Sequence, residues 1–483
     1  MNVKMMGKFI SQIIAIETVF MIPALLISWF CGERAAVNGF LLTLGIMILL
    51  GGALYLLCRK AGKIFGAREG LVCVGLSWIV MSLLGCLPFV FSGNIPNYID
   101  AFFEIASGFT TTGASIVPAV EELDKGILYW RSFSHWLGGM GVLVFLLAIA
   151  PSGKGTGFTM HLLRAESPGP DVGKLVPKMR QTAVILYGIY IALTVVNTVF
   201  LLCGGMNLFE AVCTALGTAG TGGFGIKNDS MASYSPYLQN VTTIFMFLFG
   251  VNFSIYYLLL LKEFRGIIKD EELRMYLGIA FVSIVLIVLN IRPLYDTLEE
   301  TIRHAAFQVS SIMTTTGYAT TDFDLWPSFS KTILLALMIV GASAGSTGGG
   351  MKCIRVLLLF KILGRNIRQI LNPQKVMVVR NNGKAVDEKV LSNANAYLAA
   401  YMVIMVLSTL LISLDGFDFE TNLTAVMACF NNIGPGMAAV GPTCNFAAYS
   451  AFSKIVLSVD MLAGRLEIFP ILVLFSHSTW SRR

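Results

Sequence analysis

Four short segments of this chain combine threonine or other small residues with a terminal glycine, a pattern that could supply oxygen ligands to a cation. Each segment is 13 residues long, and they are 101–113, 210–222, 305–317 and 422–434. A dehydrated alkali cation needs several oxygens in place of its water, and main-chain carbonyls supply them without the cost of burying carboxylates. Glycine permits the positive φ that turns successive carbonyls toward one axis. The pattern therefore predicts a cation site made of backbone.

The predicted ligands are each glycine and the three residues before it. They are Thr110, Thr111, Thr112 and Gly113; Ala219, Gly220, Thr221 and Gly222; Thr314, Thr315, Thr316 and Gly317; and Asn431, Asn432, Ile433 and Gly434. The threonine hydroxyls would add acceptors or pack behind the backbone. The alternative is that small residues here only pack helices together, as they often do in membranes. Four segments in register between paired apolar spans favour a pore.

The composition requires a membrane environment for the elements that carry these segments. Of 483 residues, 55% are hydrophobic and 13% charged, and the mean hydropathy is +0.74. We therefore predict an all-α integral membrane protein. Ten apolar runs are long enough to span: 9–31, 38–58, 70–91, 130–150, 181–203, 238–261, 274–291, 330–361, 394–414 and 454–476. About ten helical residues reach only halfway through a hydrocarbon core of roughly 30 Å, so each glycine segment should be re-entrant.

The predicted organisation is a pseudo-fourfold repeat of span, re-entrant helix, glycine turn and span. The glycines recur at intervals of 109, 95 and 117 residues. Two additional helices in 1–66 precede four pore repeats, at 67–153, 154–265, 266–375 and 376–483.

The distribution of Lys and Arg predicts the orientation. With the N-terminus inside, the inner segments hold 24 of these residues and the outer segments eight, Arg131 and Lys454 among the outer ones. This bias places both termini in the cytoplasm and opens the four turns outward. It also explains the net charge of +7 without a nucleic-acid partner.

A glycine-rich stretch in the third repeat, residues 341–350, is the second feature of interest. The apolar stretch 331–363 that contains it has 33 residues, which as one helix would be about 50 Å long. Five glycines in ten residues disfavour a helix. We predict a non-helical stretch across the cavity beneath the turns, where Gly341, Gly345, Gly348, Gly349 and Gly350 would form a gate. The alternative is a glycine-packed helix crossing.

Arg465 lies within the last apolar run, where a guanidinium costs roughly 2.5–3.5 kcal/mol to insert. Asp460 and Glu467 do not share its face of a helix, so a local ion pair is poor. Its five donors suit the carbonyls of the glycine-rich stretch, which makes it part of the predicted gate. The alternative is an ion pair with an acid on another span.

With these features the chain resembles the Trk/Ktr/HKT superfamily of K⁺ transporters, most closely its bacterial TrkH/TrkG branch. The resemblance covers nearly the whole chain and the two leading spans. It depends on five stretches besides the TTTG turns: LGGMG at 137–141, RAESPGP at 164–170, AGSTGGG at 344–350, NNIGPG at 431–436 and GRLE at 464–467.

The resemblance implies a function and partners. It implies K⁺ uptake across a bacterial inner membrane, a homodimer, and gating by a cytosolic nucleotide-binding ring protein of the TrkA type. K⁺ would be the transported ion, and we expect no organic cofactor on this chain. The second and fourth turns depart from the threonine pattern, which leaves a Na⁺-permeable or Na⁺/H⁺-coupled symporter as an alternative.

An intramembrane enzyme with a nucleotide-binding loop is the alternative from another class. Residues 220–225 fit GxGxxG literally, but no predicted strand precedes them. Residues 345–352 lack the adjacent Gly-Lys-Ser/Thr of a phosphate loop, and the four histidines form no catalytic spacing. We therefore expect no enzymatic activity.

Overall fold

The computed structural model describes residues 3–59, 67–141 and 179–480, and most of these are helical. Within these ranges six helices are long and apolar enough to cross a membrane. They are Val3–Cys31, Arg34–Cys58, Arg68–Phe91, Ala183–Cys203, Glu271–Leu294 and Glu388–Asp415. A bent helix pair, Pro236–Phe249 with Phe253–Leu260, makes a seventh if it counts as one span. The predicted helical membrane fold is confirmed.

The helices follow the predicted order of an N-terminal pair and four repeats. The pair is α1 (Val3–Cys31) and α2 (Arg34–Cys58), which pack along each other. Repeat 1 has α3 (Ala67–Gly85), α4 (Leu87–Phe91), α5 (Tyr98–Phe109) and α6 (Lys125–Gly139). Repeat 2 has α7 (Met179–Cys203), α8 (Leu208–Gly220), α9 (Pro236–Phe249) and α10 (Phe253–Leu260), with α11 (Phe264–Lys269) after it.

The second half of the chain repeats this order. Repeat 3 has α12 (Glu271–Ile291), α13 (Leu298–Met313), α14 (Ser328–Val340) and α15 (Cys353–Leu371). A small antiparallel hairpin follows, β1 (Arg380–Asn381) and β2 (Lys384–Ala385). Repeat 4 has α16 (Glu388–Ile412), α17 (Phe419–Phe430), α18 (Ala451–Arg465) and α19 (Phe469–Phe475), and α20 (His477–Trp480) is the last described helix.

The four re-entrant helices α5, α8, α13 and α17 are too short to span a membrane. They contain 12, 13, 16 and 12 residues, which corresponds to about 18–24 Å at 1.5 Å per residue. Each is capped by a side chain that accepts a hydrogen bond from a backbone N–H of the first turn. The capping residues are Asn97, Asn207, Thr297 and Asp418. These caps satisfy donors that a helix start leaves free. Each helix then runs into the buried centre and ends at a predicted turn.

The second spans of repeats 2 and 4 differ from the prediction of continuous spans. Helices α9 and α10 meet at 89°, and α18 stops at Arg465 before two residues with positive φ, Glu467 and Ile468. The predicted spans 238–261 and 454–476 are therefore broken, like the one break that the sequence predicted, between α14 and α15. Helix α6 ends at Gly139, and residues 142–150 of its predicted span lie outside the described residues. Hydropathy does not report such breaks, because both halves remain apolar.

Candidate ion pathway

The four turns that follow the re-entrant helices share one backbone conformation. The first left-handed residue is Thr111, Thr221, Thr315 or Asn432, with φ of 57°, 54°, 59° and 56°. Two residues later each turn has a left-handed glycine. These are Gly113, Gly223, Gly317 and Gly434, with φ of 82°, 74°, 83° and 104°. Threonine is β-branched and rarely takes positive φ, whereas asparagine does so more readily. Contacts within the folded protein must therefore hold the three turns that have threonine at this position.

The shared conformation corrects the predicted register of the second turn by one residue. The equivalent of Gly113 is Gly223, whereas Gly222 takes the place of Thr112. Hydrogen bonds agree, because Thr112 N donates to Ser107 O and Gly222 N donates to Gly217 O, five residues back in both cases. Ala219 therefore lies within α8 rather than in the turn. The stretch offers glycines at 220, 222 and 223, so matching by glycine alone could not choose between them.

The turns contact one another in cyclic order around a closed ring. A Cβ placed on Gly113 would overlap the carbonyl oxygen of Gly222; one on Gly223, that of Thr316; and one on Gly317, that of Ile433. The ring closes because a Cβ on Gly434 would lie 2.8 Å from Thr112 O. Four carbonyls thus alternate with four glycines. No side chain fits at the glycine positions, in addition to the requirement for positive φ.

Four threonine hydroxyls of the first and third turns, those of Thr110, Thr112, Thr314 and Thr316, are bonded within the protein. Thr111 Oγ1 is buried without a hydrogen-bond partner among the described residues. Thr110 Oγ1 donates to Ala106 O at 2.6 Å and lies 2.8 Å from Thr112 Oγ1. Thr314 and Thr316 repeat this geometry. These four hydroxyls therefore have partners within the protein, which favours the packing role for them over the ligand role.

A buried ion pair supports the first turn, and the sequence analysis missed it. Arg131 Nη2 lies 2.6 Å from Glu104 Oε1, and the two side chains are 2% and 0% exposed. The Glu104 carboxylate also accepts from Ser115 Oγ and from Ile116 N just beyond the turn. Arg131, counted above with the outer segments, is thus buried within α6. The available signal was an acid inside an otherwise apolar re-entrant helix, which must find a partner when buried.

Lys454, which the charge count also placed in an outer segment, is buried as well. Lys454 is 6% exposed, and its Nζ lies 2.7 Å from Asp100 Oδ1 in the first re-entrant helix. It joins repeat 4 to repeat 1. His135 joins repeats 1 and 2, because its ring bonds to Gly108 O at 2.8 Å and accepts from Phe224 N at 3.1 Å. The His135 ring thus bridges the backbone of the two repeats.

The glycine-rich loop, residues 341–350, is non-helical as predicted. Gly341, Gly345 and Gly350 have φ of 69°, 69° and 73°, so the stretch is not a glycine-packed helix crossing. Nine of its ten residues are buried. Its backbone forms hydrogen bonds with the residues between α9 and α10 in repeat 2. Ser343 N donates to Gly250 O at 3.1 Å, and Gly345 O accepts from Phe253 N at 3.0 Å.

The loop lies directly against the third and fourth turns. Gly349 N donates to Thr315 Oγ1 at 2.6 Å. A Cβ on Gly348 would lie 2.9 Å from Thr314 O, and one on Gly349 would lie 2.6 Å from Asn431 O. These three contacts leave no room for side chains between the loop and the turns.

Arg465 bonds to carbonyl oxygens of the loop and of repeat 1. Its Nη1 donates to Thr347 O at 2.8 Å, and its Nη2 donates to Gly139 O at 2.7 Å and to Gly138 O. The predicted contact with the glycine-rich stretch is therefore present. The two neighbouring acids have other partners, Ser408 for Asp460 and Arg355 for Glu467. Another cation, Lys352, donates to Gly348 O within the loop.

Together these observations define the class of the molecule. Four re-entrant helices end in a closed ring of glycine turns, inside a bundle of apolar spans and above a buried non-helical loop. The chain is a single-chain, pseudo-fourfold integral membrane protein of the re-entrant pore type.

Comparison with known proteins gives the family. The TrkH family profile, described as a cation transport protein, matches residues 37–482. The chain is 36% identical over 450 residues to the Trk system potassium uptake protein TrkH of Escherichia coli K12, covering 92% of both chains. It is 32% identical over 466 residues to TrkG of the same strain, covering 95% of both. The crystal structure of the potassium transporter TrkH from Vibrio parahaemolyticus matches with a TM-score of 0.89 and 31% identity over 100% of both chains.

The chain therefore belongs to the TrkH family of cation transport proteins. This confirms the resemblance, although its stretch at residues 164–170 lies outside the described residues.

The corrected register gives a first testable prediction. Gly223→Ala should disturb the ratio of Rb⁺ to Na⁺ flux as strongly as Gly113→Ala, because each added Cβ meets both a positive φ and a neighbouring carbonyl. Flux into liposomes measures this ratio. Gly188→Ala is the control, because a Cβ there meets nothing within 4 Å. A parental flux ratio in Gly223→Ala would show that the second turn is not aligned as described.

Proposed function

We propose that this protein takes up K⁺ across the bacterial inner membrane through the ring of four turns. The closed cycle of glycines and carbonyls is the observation that carries the proposal, because it gathers backbone oxygens from all four repeats at one place. The relatives support the choice of ion, since they are named as potassium uptake proteins. They are also transporters rather than enzymes, which argues against the intramembrane enzyme.

The main-chain carbonyls of the turns would replace the water around K⁺. The ion-binding residues in this proposal are 110–113, 220–223, 314–317 and 431–434. Because the hydroxyls of Thr110 and Thr314 already donate to carbonyls of their own re-entrant helices, main-chain carbonyls would be the principal ligands. Each re-entrant helix directs its negative C-terminal end toward the ring, which favours a cation there. The membrane potential would drive uptake, at about 2.3 kcal/mol per charge for 100 mV.

The quarters of the ring are chemically unequal. The fourth turn carries asparagine at the left-handed position, and Asn432 Nδ2 donates to Thr112 Oγ1 at 3.0 Å and to Met461 O at 2.9 Å. A Na⁺-permeable pathway or an ion-coupled symporter remains the second candidate, and this inequality is the observation that favours it.

We further propose that residues 341–350, with Arg465, form the gate. The loop lies against two of the turns and bonds to the second and fourth repeats, which supports a position in the path directly beneath the ring. A homodimer controlled by a cytosolic nucleotide-binding ring protein of the TrkA type completes the proposal, and it depends on the family alone. Such a partner would act by binding the open and closed states with different affinities.

Flux through purified protein tests the proposed function. In liposomes with the cognate ring protein present, we expect Rb⁺ to enter faster than Na⁺ and to follow an imposed negative potential without ATP hydrolysis by this chain. Equal Rb⁺ and Na⁺ flux would favour the Na⁺-permeable alternative. Rb⁺ entry that requires a Na⁺ or H⁺ gradient would favour the symporter.

Removing part of the loop tests the gate. Deletion of residues 342–347 should give high Rb⁺ flux that no longer depends on the ring protein, because the obstruction is gone while the turns remain. Each 1.4 kcal/mol shifted toward the open state raises its population about tenfold. The ratio of Rb⁺ to Na⁺ flux should stay at the parental value.

The control for the deletion is Gly364→Ala, an open position on α15, which should retain parental, partner-dependent flux. A deletion protein that elutes as a folded species but shows partner-dependent or no flux would contradict the gate.

Arg465 gives an independent test. Arg465→Ala removes charged donors from Thr347 O and Gly139 O, and hydrogen bonds to charged groups contribute about 1.5–3 kcal/mol each. Basal Rb⁺ flux should therefore rise tenfold or more. Arg465→Lys is the matched variant, because one ammonium keeps the charge without the fork that bridges both carbonyls. Equal flux per folded molecule in Arg465→Ala and the parent would remove Arg465 from gating.

A further inference from the structure

One acid holds the centre of the glycine-rich loop. Glu272 is the second residue of α12 and is 7% exposed. Its Oε1 accepts a hydrogen bond from Ala344 N at 2.6 Å. Loop and acid are separated by 72 residues, so this contact is formed only in the folded protein.

Glu272 differs chemically from the other side chains that hold the loop. Arg465 and Lys352 are cations that donate to carbonyls, of Thr347 and Gly348 respectively. Glu272 is an acceptor for an amide on the opposite half of the loop. A buried N–H without an acceptor bears the full cost of losing its contact with water. Removing this carboxylate would therefore penalise the observed conformation of the loop specifically.

The start of α12 is in turn fixed by the exposed hairpin. Asn382 lies at the hairpin turn with φ of 48°. Its side chain accepts from Glu271 N at 2.9 Å and donates to Asp270 Oδ2 at 3.0 Å. The carboxylate of Glu271 also pairs with Lys361 of α15. Three consecutive residues, 270–272, thus connect an exposed hairpin to a buried loop.

We propose that Glu272 is a positioning residue that holds the loop in its obstructing conformation, and that the hairpin Arg380–Ala385 sets the position of its carboxylate. The proposal rests on the loop being the gate. A displacement of the hairpin would move the start of α12 and withdraw the acceptor from Ala344. The hairpin is therefore a site from which the loop can be released.

Three variants of the full chain in liposomes test this. Glu272→Leu removes the acceptor, Glu272→Gln keeps a neutral acceptor oxygen, and Asn382→Gly tolerates the positive φ but deletes both side-chain hydrogen bonds. Glu263→Gln is the control, an exposed acid in the segment just before α11. The measurements are hydrogen exchange of peptides covering 341–350 and 110–113, and Rb⁺ and Na⁺ flux.

We expect Glu272→Leu to accelerate exchange in 341–350 but not in 110–113, and to raise Rb⁺ flux about tenfold, corresponding to 1.4 kcal/mol. The ratio of Rb⁺ to Na⁺ flux should not change. Glu272→Gln and Asn382→Gly should shift exchange and flux in the same direction by smaller amounts, and Glu263→Gln should match the parent. A merely structural role would instead alter exchange in both peptides.

The outcomes separate this inference from the gate itself. Parental exchange in 341–350 for folded Glu272→Leu would overturn the role of Glu272. Faster loop exchange with parental flux would support the role of Glu272 but contradict the gate. If Glu272→Leu does not fold, Glu272→Gln decides by the same criteria. Parental exchange in Asn382→Gly would overturn the role of the hairpin.

Discussion

Non-helical backbone at membrane depth is stable only when its N–H and C=O groups are satisfied inside the protein, and this constraint governs the centre of the molecule. Two such stretches lie there, the ring of turns and the glycine-rich loop. Each turn is closed by a bond back to its own re-entrant helix, as from Thr112 N to Ser107 O. The loop instead bonds to segments distant from it in the chain, namely Gly250 and Phe253 of repeat 2 and Thr315 of the third turn. The turns are thus fixed locally, whereas the loop depends on its surroundings.

Where backbone N–H and C=O groups have no backbone partner, charged side chains supply the hydrogen bonds. Arg465 donates to carbonyls of two repeats, and Glu272 accepts from an amide of the loop. Burying these ions is expensive, and breaking a buried polar contact leaves an uncompensated group. Each is therefore a point where a small change in position has a large effect on the loop. The Arg131–Glu104 pair has the corresponding effect behind the first turn, which it holds through Ser115 and Ile116.

The second long spans of repeats 2, 3 and 4 are broken, and these breaks relate the repeats to one another. Helices α9, α14 and α18 end at Phe249, Val340 and Arg465, and residues at or just after these ends contact the loop or form it. In repeat 3 the break has expanded into the ten-residue loop, while in repeat 4 it supplies Arg465. One architectural feature, repeated with different sequences, thus gives the pseudo-fourfold centre its chemical asymmetry.

The sequence alone determined the features that depend on local composition. Four segments too short to span, the non-helical stretch 341–350 and the need of Arg465 for oxygen partners all follow from propensity and solvation cost. The tertiary structure decided the rest. It set the second turn at Gly223 rather than Gly222, because the ring requires a glycine against Thr316 O. It also paired Arg131 with Glu104 and Glu272 with Ala344. These depend on contacts between segments distant in the chain, whose energies no local pattern contains.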